Sequence, residues 1–332
     1  MTTIWLYHWF STAYDIIELI REGGDEYRII GTNRKKESPI MLNCDEWYTE
    51  PSVRGQEYIS FCLDFCEKHG VDIFMPRHEM GTVSLNKRRF EEKGVQVMVE
   101  NYDLVDMFGH KDKAYAEFKK HDIGKVPDHF IVTDVGQFKE AYSALNVKYG
   151  RVCFKFVKDE GGMSFHLIDN TPKGYSSLFS PSSTRISFDD AVSALSQREK
   201  FAPLMVMPFL SGDEISVDCL RTPSGIIAIP RRKNYSRIER VVYDEGIIGS
   251  CHRLLDVFPL EMPCNIQFKL LDGVPYLLEV NTRMSGGVQM SCLASGVNIP
   301  YIAVNKLLGR DIPWECNGLE KSVTYIEKPL VL

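Results

Sequence analysis

The chain switches its alternation of strands and helices partway along, and that switch restricts the fold more than any other feature. Over the first hundred residues, short apolar runs alternate with amphipathic helical stretches across short connections. Residues 4–9 read as a strand, and Ser11 is placed to cap a helix over 12–21 that Gly23-Gly24 closes. Residues 27–31 read as the next strand. Tyr58, Ile59, Cys62, Phe65 and Cys66 recur at helical spacing within 55–69, and Gly70 stops that helix. A buried strand over 71–76, a helix over 82–93 and a strand over 95–99 follow. Strand–helix–strand alternation of this kind predicts a parallel sheet covered by helices.

From residue 111 the pattern changes. Helices are expected over 111–121, 135–149 and 189–198. Strands are expected over 129–133, 151–157, 164–168, 204–208, 214–221, 225–231, 265–271 and 274–280. Gly161-Gly162 separates two of them as a hairpin-like loop, and Asp272-Gly273 joins the last two as a strong two-residue turn signal. Residues 170–187 are rich in Ser, Thr and Pro and read as a loop excursion. The expected class is therefore α/β in the first part and α+β with antiparallel sheet in the second.

Composition narrows the function. At 332 residues the chain has room for two or three packed units. Its net charge of -6, from 39 basic and 45 acidic residues, supplies no general basic field, so no nucleic-acid partner is expected. Nine cysteines are an odd number, with no CxxC pair and no zinc-finger spacing, which predicts reduced, mostly buried thiols in a cytoplasmic protein. The opening MTTIWLYHWF lacks a basic flank and is followed by Asp15 and Glu18, so it reads as a buried strand rather than a secretion signal. No apolar run reaches about 18 residues, so no membrane association is expected.

Three segments carry candidate chemistry. Glu279 and Asn281 lie two apart on one strand and so share a face, Gln267 lies on the strand before the turn, and Arg283 continues the spacing. One carboxylate and two amides form an oxygen-rich edge suited to Mg²⁺, and the arginine can clamp a phosphoryl or carboxylate oxygen. An ordinary hairpin with polar residues in water is the competing reading. The second segment runs from Lys155 through Gly161-Gly162 to Ser164. Glycines let backbone N–H groups approach phosphates and a lysine adds a point charge, although GxxxxGK[ST] is absent and a plain turn has the same look. The third runs over 205–218, an apolar strand end and then Glu214, Ser216 and Asp218 at period two. Its backbone can pair with a flat base and its acids can hold a ribose or metal; a solvated strand face is the alternative.

Taken together, these pieces resemble the ATP-grasp superfamily, in particular its carbamoyl-phosphate-synthetase-like carboxylate–amine ligases. The resemblance rests on Asp112-Lys113 at a helix start, Lys155 with Gly161-Gly162, the apolar stretch Met205–Val206–Met207, Gly212-Asp213-Glu214, and Gln267 with Glu279-Val280-Asn281-Thr282-Arg283. Their order fits most of the chain, and the first hundred residues resemble the family's Rossmann-like pre-ATP-grasp domain. It implies three parts: 1–110 Rossmann-like, 111–205 the lid region, and 206–332 the catalytic sheet with C-terminal helices. It also implies roles. Lys113 and Lys155 would contact phosphates; Gly161, Gly162 and Ser164 would form the lid; the backbone of Val206 and Met207 would read adenine; Glu214 would hold the ribose. Gln267, Glu279 and Asn281 would bind Mg²⁺, with Mn²⁺ as a substitute, and Arg283 with Lys155 would act in catalysis. The implied reaction uses ATP to convert a carboxylate to an acyl phosphate, which an amine or other nucleophile attacks. Small-molecule acid and amine are the implied partners, and the resemblance leaves room for a homodimer.

Two positions depart from the pattern. Pro208 stands where many relatives carry an acid, and Gln267 replaces an acidic metal ligand. The acceptor side is carried more thinly, by Arg231, by Ser285-Gly286-Gly287 opening a helix, and by Glu79 after a parallel strand's C-terminal end. Alternatives are phosphorylation of bicarbonate or carbamate, as in carbamoyl phosphate synthesis, or a nucleotide-binding regulatory subunit without chemistry. A single ATP-grasp unit speaks against a full synthetase, whose large subunit in the family has two.

Overall fold

Five strands near the N-terminus build one parallel sheet. In the computed structural model, which describes residues 1–7, 12–158, 162–171, 174–175, 184–233, 237–327 and 329–331, they are β1 (Thr2–Tyr7), β2 (Tyr27–Asn33), β3 (Glu46–Thr49), β4 (Ile73–Met75) and β5 (Gln96–Val97). Their order is β3-β2-β1-β4-β5 and every pair is parallel. The crossovers carry α1 (Thr12–Glu22), α2 (Gly55–His69), α3 (Met80–Leu85) and α4 (Lys87–Glu91), and α5 (Tyr102–Gly109) follows β5. Central β1 feeds two cores by the alternation of a strand: Ile4 and Leu6 enter one, and Trp5 enters the other. Trp5 stacks on Phe74 at 4.1 Å between centroids, and its indole N–H donates to Thr32 Oγ1 at 2.8 Å.

The helix expected over 82–93 is two helices. Asn86 leaves helical geometry (φ -107°, ψ 9°), and its Nδ2 donates to the Thr82 carbonyl at 2.8 Å. A short amide side chain competes with the backbone ladder in this way, and the helix breaks there. Edge strand β3 and helix α5 carry weak periodicity and were not foreseen.

The next segment contains α6 (Lys111–Lys120), β6 (Phe130–Val132), α7 (Val135–Tyr149), β7 (Val152–Phe156), β8 (His166–Ile168), β9 (Arg185–Ile186), α8 (Phe188–Leu195) and β10 (Leu204–Pro208). Its sheet has the order β6-β10-β7-β8-β9, antiparallel except for the parallel pair β8–β9. Helix α7 begins where Asp134 accepts from the Gln137 N–H and ends at left-handed Gly150. Phe138, Leu145, Phe154 and Val206 anchor its small core. Strand β9 lies inside the stretch expected as a loop. Within that stretch 172–173 and 176–183 lie outside the described residues, as do Trp9, Ser11 and 159–161, which include the expected lid residue Gly161.

The last segment contains β11 (Glu214–Thr222), β12 (Gly225–Lys233), β13 (Glu239–Val241), α9 (Glu245–Val257), β14 (Cys264–Leu271), β15 (Val274–Asn281), α10 (Val288–Ser295), α11 (Ile299–Leu307) and β16 (Lys321–Val323). The sheet order is β15-β14-β11-β12-β13-β16. Asp272 and Gly273 both have positive φ (50° and 78°), the backbone a two-residue hairpin turn requires. Packing divides the chain into two units. One comprises Met1–Asp106, Asp213–Gln267 and Val280–Leu332; the other comprises Met107–Gly212 and Phe268–Glu279. The parallel domain thus shares a unit with most of the 206–332 part expected to be catalytic, while the tip of the β14–β15 hairpin counts with the other unit.

Candidate functional site

In the first unit the paired strands β11 and β12 place Ser216 opposite Arg231 and Glu214 opposite Lys233. Ser216 and Asp218 are buried, so the solvated strand face considered above is not what these residues form. Arg231 is fully buried, and its guanidinium is committed on every side. Nη2 lies 3.0 Å from Asp218 Oδ2 and Nη1 contacts Glu239. Nε donates to Ser291 Oγ at 2.8 Å and Nη2 to Ser285 Oγ at 3.0 Å. Burial alone would lower the arginine's pKa, but the Asp218 and Glu239 carboxylates outweigh it and raise it. Arg231 is therefore closed off from solvent, and the substrate contact expected of it has to be weighed against this network. A Cβ on Gly287 would lie 2.4 Å from Arg231 Nη1, so only glycine lets α10 begin beside that guanidinium. Ser285 is buried with it, and the Gly286 carbonyl accepts from Thr12 Oγ1 at 3.1 Å.

The same network reaches the expected metal edge. Asn265 Nδ2 donates to Asp218 Oδ1 at 3.0 Å, and Gln267 Nε2 donates to Asn265 Oδ1 at 3.0 Å. With its amide nitrogen so engaged, Gln267 has its carbonyl oxygen left as the group to offer a cation. Asn281 and Arg283 end β15 and leave it half-buried; Arg283 Nη1 donates to the Met284 carbonyl at 3.0 Å. Glu214 lies 3.1 Å from Lys233 Nζ. Glu79 sits in left-handed backbone (φ 51°) just after β4, where its carboxylate accepts from Thr82 Oγ1 at 2.8 Å. A non-glycine residue held there is the kind of outlier that clusters at functional loops.

In the second unit Lys155 is buried on β7, opposite Met205 of β10. Lys113 is exposed on the first turn of α6. Two positions before it, Lys111 is buried with its Nζ 3.7 Å from Glu279 Oε2, a neighbour the sequence reading missed in favour of Lys113. Ser164 Oγ accepts from the Phe156 N–H at 2.9 Å, and Gly162 has φ 67° in the turn that follows the undescribed residues. Burial pushes the Cys153 thiol up to about 12, which removes it as a nucleophile.

The register also settles which backbone groups are open. Phe209 N–H donates to Arg151 O, and Val157 N–H donates to Pro203 O, in the β7–β10 register. Odd-numbered residues of β10 therefore aim their peptide groups at β7, and Met207 is among them. Val206 aims its own at β6, its ladder partner being Phe130. The Pro208 carbonyl accepts from Cys153 Sγ at 3.6 Å. Gly212 follows closely: its N–H donates to Leu270 O at 2.9 Å, and a Cβ there would lie 2.7 Å from the same oxygen.

Gln267, Glu279 and Asn281, the expected metal ligands, each carry oxygen atoms, the donor type Mg²⁺ takes; Gln267 and Asn281 fall in the first unit and Glu279 in the second. Among the described residues no group of three His, Cys, Asp or Glu side chains offers a rival metal centre, and no helix is long and apolar enough to cross a membrane.

Two stretches of the chain match known families. Residues 200–328 match the family described as ATP-grasp in the biosynthetic pathway with Ter operon, and residues 11–98 match the PylC-like N-terminal domain. The arginine-specific carbamoyl phosphate synthase large chain of Geobacillus stearothermophilus is 21% identical over 318 residues, 91% of this chain but 28% of that one. Among solved structures, the biotin carboxylase domain of Hydrogenobacter thermophilus 2-oxoglutarate carboxylase, a dimer in complex with MgADP, ADP and bicarbonate, superposes with TM-score 0.71 at 16% identity. It covers 96% of this chain and 72% of that one. The Staphylococcus aureus N5-carboxyaminoimidazole synthetase complexed with ADP gives TM-score 0.70 at 11% identity, covering 94% and 78%. The chain has the ATP-grasp fold, with a parallel-sheet domain at its N-terminal end.

Proposed function

We propose that this protein is an ATP- and Mg²⁺-dependent ligase that activates a carboxylate as an acyl phosphate and joins it to an amine. The observation that carries the reading is the β14–β15 hairpin. It carries Gln267 on β14 and Glu279 and Asn281 on β15, side chains that each offer an oxygen donor, and Arg283 follows just after β15 ends. Such a hairpin is the part a phosphoryl-transfer enzyme cannot do without, because positioning and charge stabilisation make up most of its catalysis. The carbamoyl phosphate synthase relatives and the nucleotide-bound structural neighbours support the same assignment.

Residue roles follow from placement. Gln267, Glu279 and Asn281 would hold Mg²⁺, with Mn²⁺ as a substitute; the ion supplies charge neutralisation of the phosphate oxygens. Lys155 and Lys113 bind phosphates, and Lys111 sets the charge around Glu279. The backbone at the end of β10, Val206 and Met207, is the proposed adenine-reading segment. Gly162 and Ser164 belong to the lid, with Gly161 proposed beside them. Glu214, held by Lys233, faces the ribose. Arg283 steadies the phosphoryl group while a carboxylate oxygen attacks Pγ and the Pγ–O bond to ADP breaks, its electron pair leaving with ADP. The amine then attacks the acyl carbon and phosphate departs. The functional division proposed is 1–110, 111–205 and 206–332, acting in the cytoplasm on small-molecule acid and amine, with a homodimer as the assembly to test.

Glu279→Gln tests the hairpin. It removes the one full negative charge of the donor set, so ADP formation is expected to fall at least a hundredfold at saturating Mg²⁺ with an unchanged circular-dichroism spectrum. Turnover within threefold of wild type would remove the hairpin from catalysis.

A further inference from the structure

The first unit contains a cleft at the C-terminal ends of β1 and β4, reached also by the chain leaving β15. Its wall is apolar and built mainly from thioethers: Met75, Met80, Met98, Met262 and Met284 line it. Among the described residues, Tyr7, Arg77 and Arg283 bring polar groups to it. Arg77 is itself buried, with Nη1 3.9 Å from Met80 Sδ. Open α/β sheets present ligands at this end of their strands.

The combination is selective. Methionine side chains adapt to an irregular apolar shape but gain nothing from a small hydrated anion. Two arginines favour a negative head and disfavour an ammonium. We propose that this cleft binds the carboxylate substrate, and that the substrate is an organic acid with an apolar chain, not bicarbonate. The chain lies on the methionine wall and the carboxylate is held by Arg77 and Arg283. This rests on the ligase reading above, in which Arg283 stands where phosphoryl transfer occurs. Bicarbonate offers no carbon chain to cover five thioethers, whereas each buried methylene improves affinity about fourfold.

The test is a chain-length series of acetate, butyrate and hexanoate. Binding is measured by calorimetry without nucleotide, and ADP release is measured with ATP, Mg²⁺ and hydroxylamine, which traps an acyl phosphate as its hydroxamate. Hexanoate is expected to bind at least tenfold more tightly than acetate and to give the larger hydroxamate yield. Met98→Glu should abolish the chain-length dependence. Because Met98 is buried and its variant can fail to fold, Met80→Glu, at a half-buried position, is the second variant and should flatten the series as well. Arg77→Met should weaken all three acids by a similar factor. A flat series in the wild type, or a steep one unchanged in both methionine variants, overturns the proposal. Bicarbonate-dependent ADP release with a flat series overturns it while leaving the ligase standing. A steep series without any ADP release supports the cleft and removes the ligase.

Discussion

Arg231 and Lys155 are both buried basic residues on sheet strands, yet their surroundings differ in kind. Arg231 is surrounded by groups that answer its charge: two carboxylates, two serine hydroxyls, and an amide chain running on through Asn265 to Gln267. Lys155 lies in a ladder position facing Met205, between neighbours such as Cys153 and Phe154, in a sheet that rests on a much smaller core. The first arrangement satisfies its charge inside the fold. The second places a buried cation on a strand of that smaller core, where phosphate binding is the proposed role to test. The comparison predicts that one residue supports the structure and the other supports binding.

Arg231→Met is the strongest way to break that division. It leaves Asp218 and Glu239 buried without their common cation, and losing one member of a buried ion group costs about 3–5 kcal/mol. Urea denaturation is expected to show that loss, with ATP affinity in the folded fraction unchanged. A variant of wild-type stability that no longer turns over would instead place Arg231 among the substrate-binding residues.

Lys155→Met should give the opposite profile. A charged hydrogen bond to phosphate contributes about 1.5–3 kcal/mol, so ATP affinity should fall roughly tenfold to a hundredfold. Unfolding free energy should stay within about 1 kcal/mol of wild type, since methionine keeps most of the stem's packing. Calorimetric titration with a non-hydrolysable ATP analogue measures the first, and denaturant melts measure the second. Equal affinity in the variant would reduce Lys155 to a strand residue and remove the phosphate assignment with it.

Buried charge in the parallel sheet sharpens the contrast further. Glu50 accepts from Thr32 Oγ1 at 2.6 Å through one oxygen, while the other has no partner among the described residues. Burial pushes its carboxyl up to about 7, and burial does the same to Glu100, although the Met262 N–H bonds it at 2.6 Å. Both groups hold their protons more tightly in the folded chain than in the unfolded one. Their contribution is therefore complete below about pH 4.5 and fades as pH rises through 7. Stability is expected to fall between pH 5 and 8, by about 2 kcal/mol for each residue. Glu50→Gln should remove part of that slope and raise the melting temperature at pH 8. A pH-independent melting temperature over that range would mean that these carboxyls ionise without cost.

The two regions also differ in how far the sequence disclosed them. The helices 55–69 and 135–149 and the strand 204–208 stand where periodicity put them, because each carries an uninterrupted apolar repeat between clear stops. The Asp272-Gly273 turn was equally plain, since few residue pairs accept two left-handed conformations. The Arg231 network was not legible. Asp218 and Ser216 alternate with apolar residues like any half-exposed strand, and only a second covering layer, supplied by α10 far along the chain, turns that face inward. Lys111 was missed because a lysine beside another lysine at a helix start gives no sign of which one faces inward. Which β10 peptide groups face β7 depends on hydrogen-bond parity between the two strands, which no residue type encodes. Methionine at 75, 80, 98, 262 and 284 is scattered over more than two hundred positions, so its convergence is a property of topology alone.

The smallest expected effect concerns Gly162, in the described part of the β7–β8 connection. Gly162 has φ 67°, its carbonyl accepts from the Phe165 N–H at 3.1 Å, and Ser164 Oγ bonds back to the Phe156 N–H. The turn is thus closed by local bonds rather than by core contacts, and Met163 at its tip is 89% exposed. A β-branched residue in left-handed backbone costs about 1–2 kcal/mol locally, so Gly162→Val should disturb the turn and leave the sheet standing. Global stability should drop by no more than about 1 kcal/mol. The stronger readout is partitioning. A lid that closes over the triphosphate excludes water, the competing nucleophile for an acyl phosphate. The variant should therefore release more phosphate per ligated product while its ATP affinity changes less than threefold. Hydrogen exchange over residues 162–168, with and without an ATP analogue and Mg²⁺, is the direct measurement, and protection should rise on nucleotide binding in wild type but not in the variant. Exchange that ignores nucleotide in both proteins would make Gly162 a turn residue and nothing more, and the division would then run between a rigid network and an ordinary hairpin.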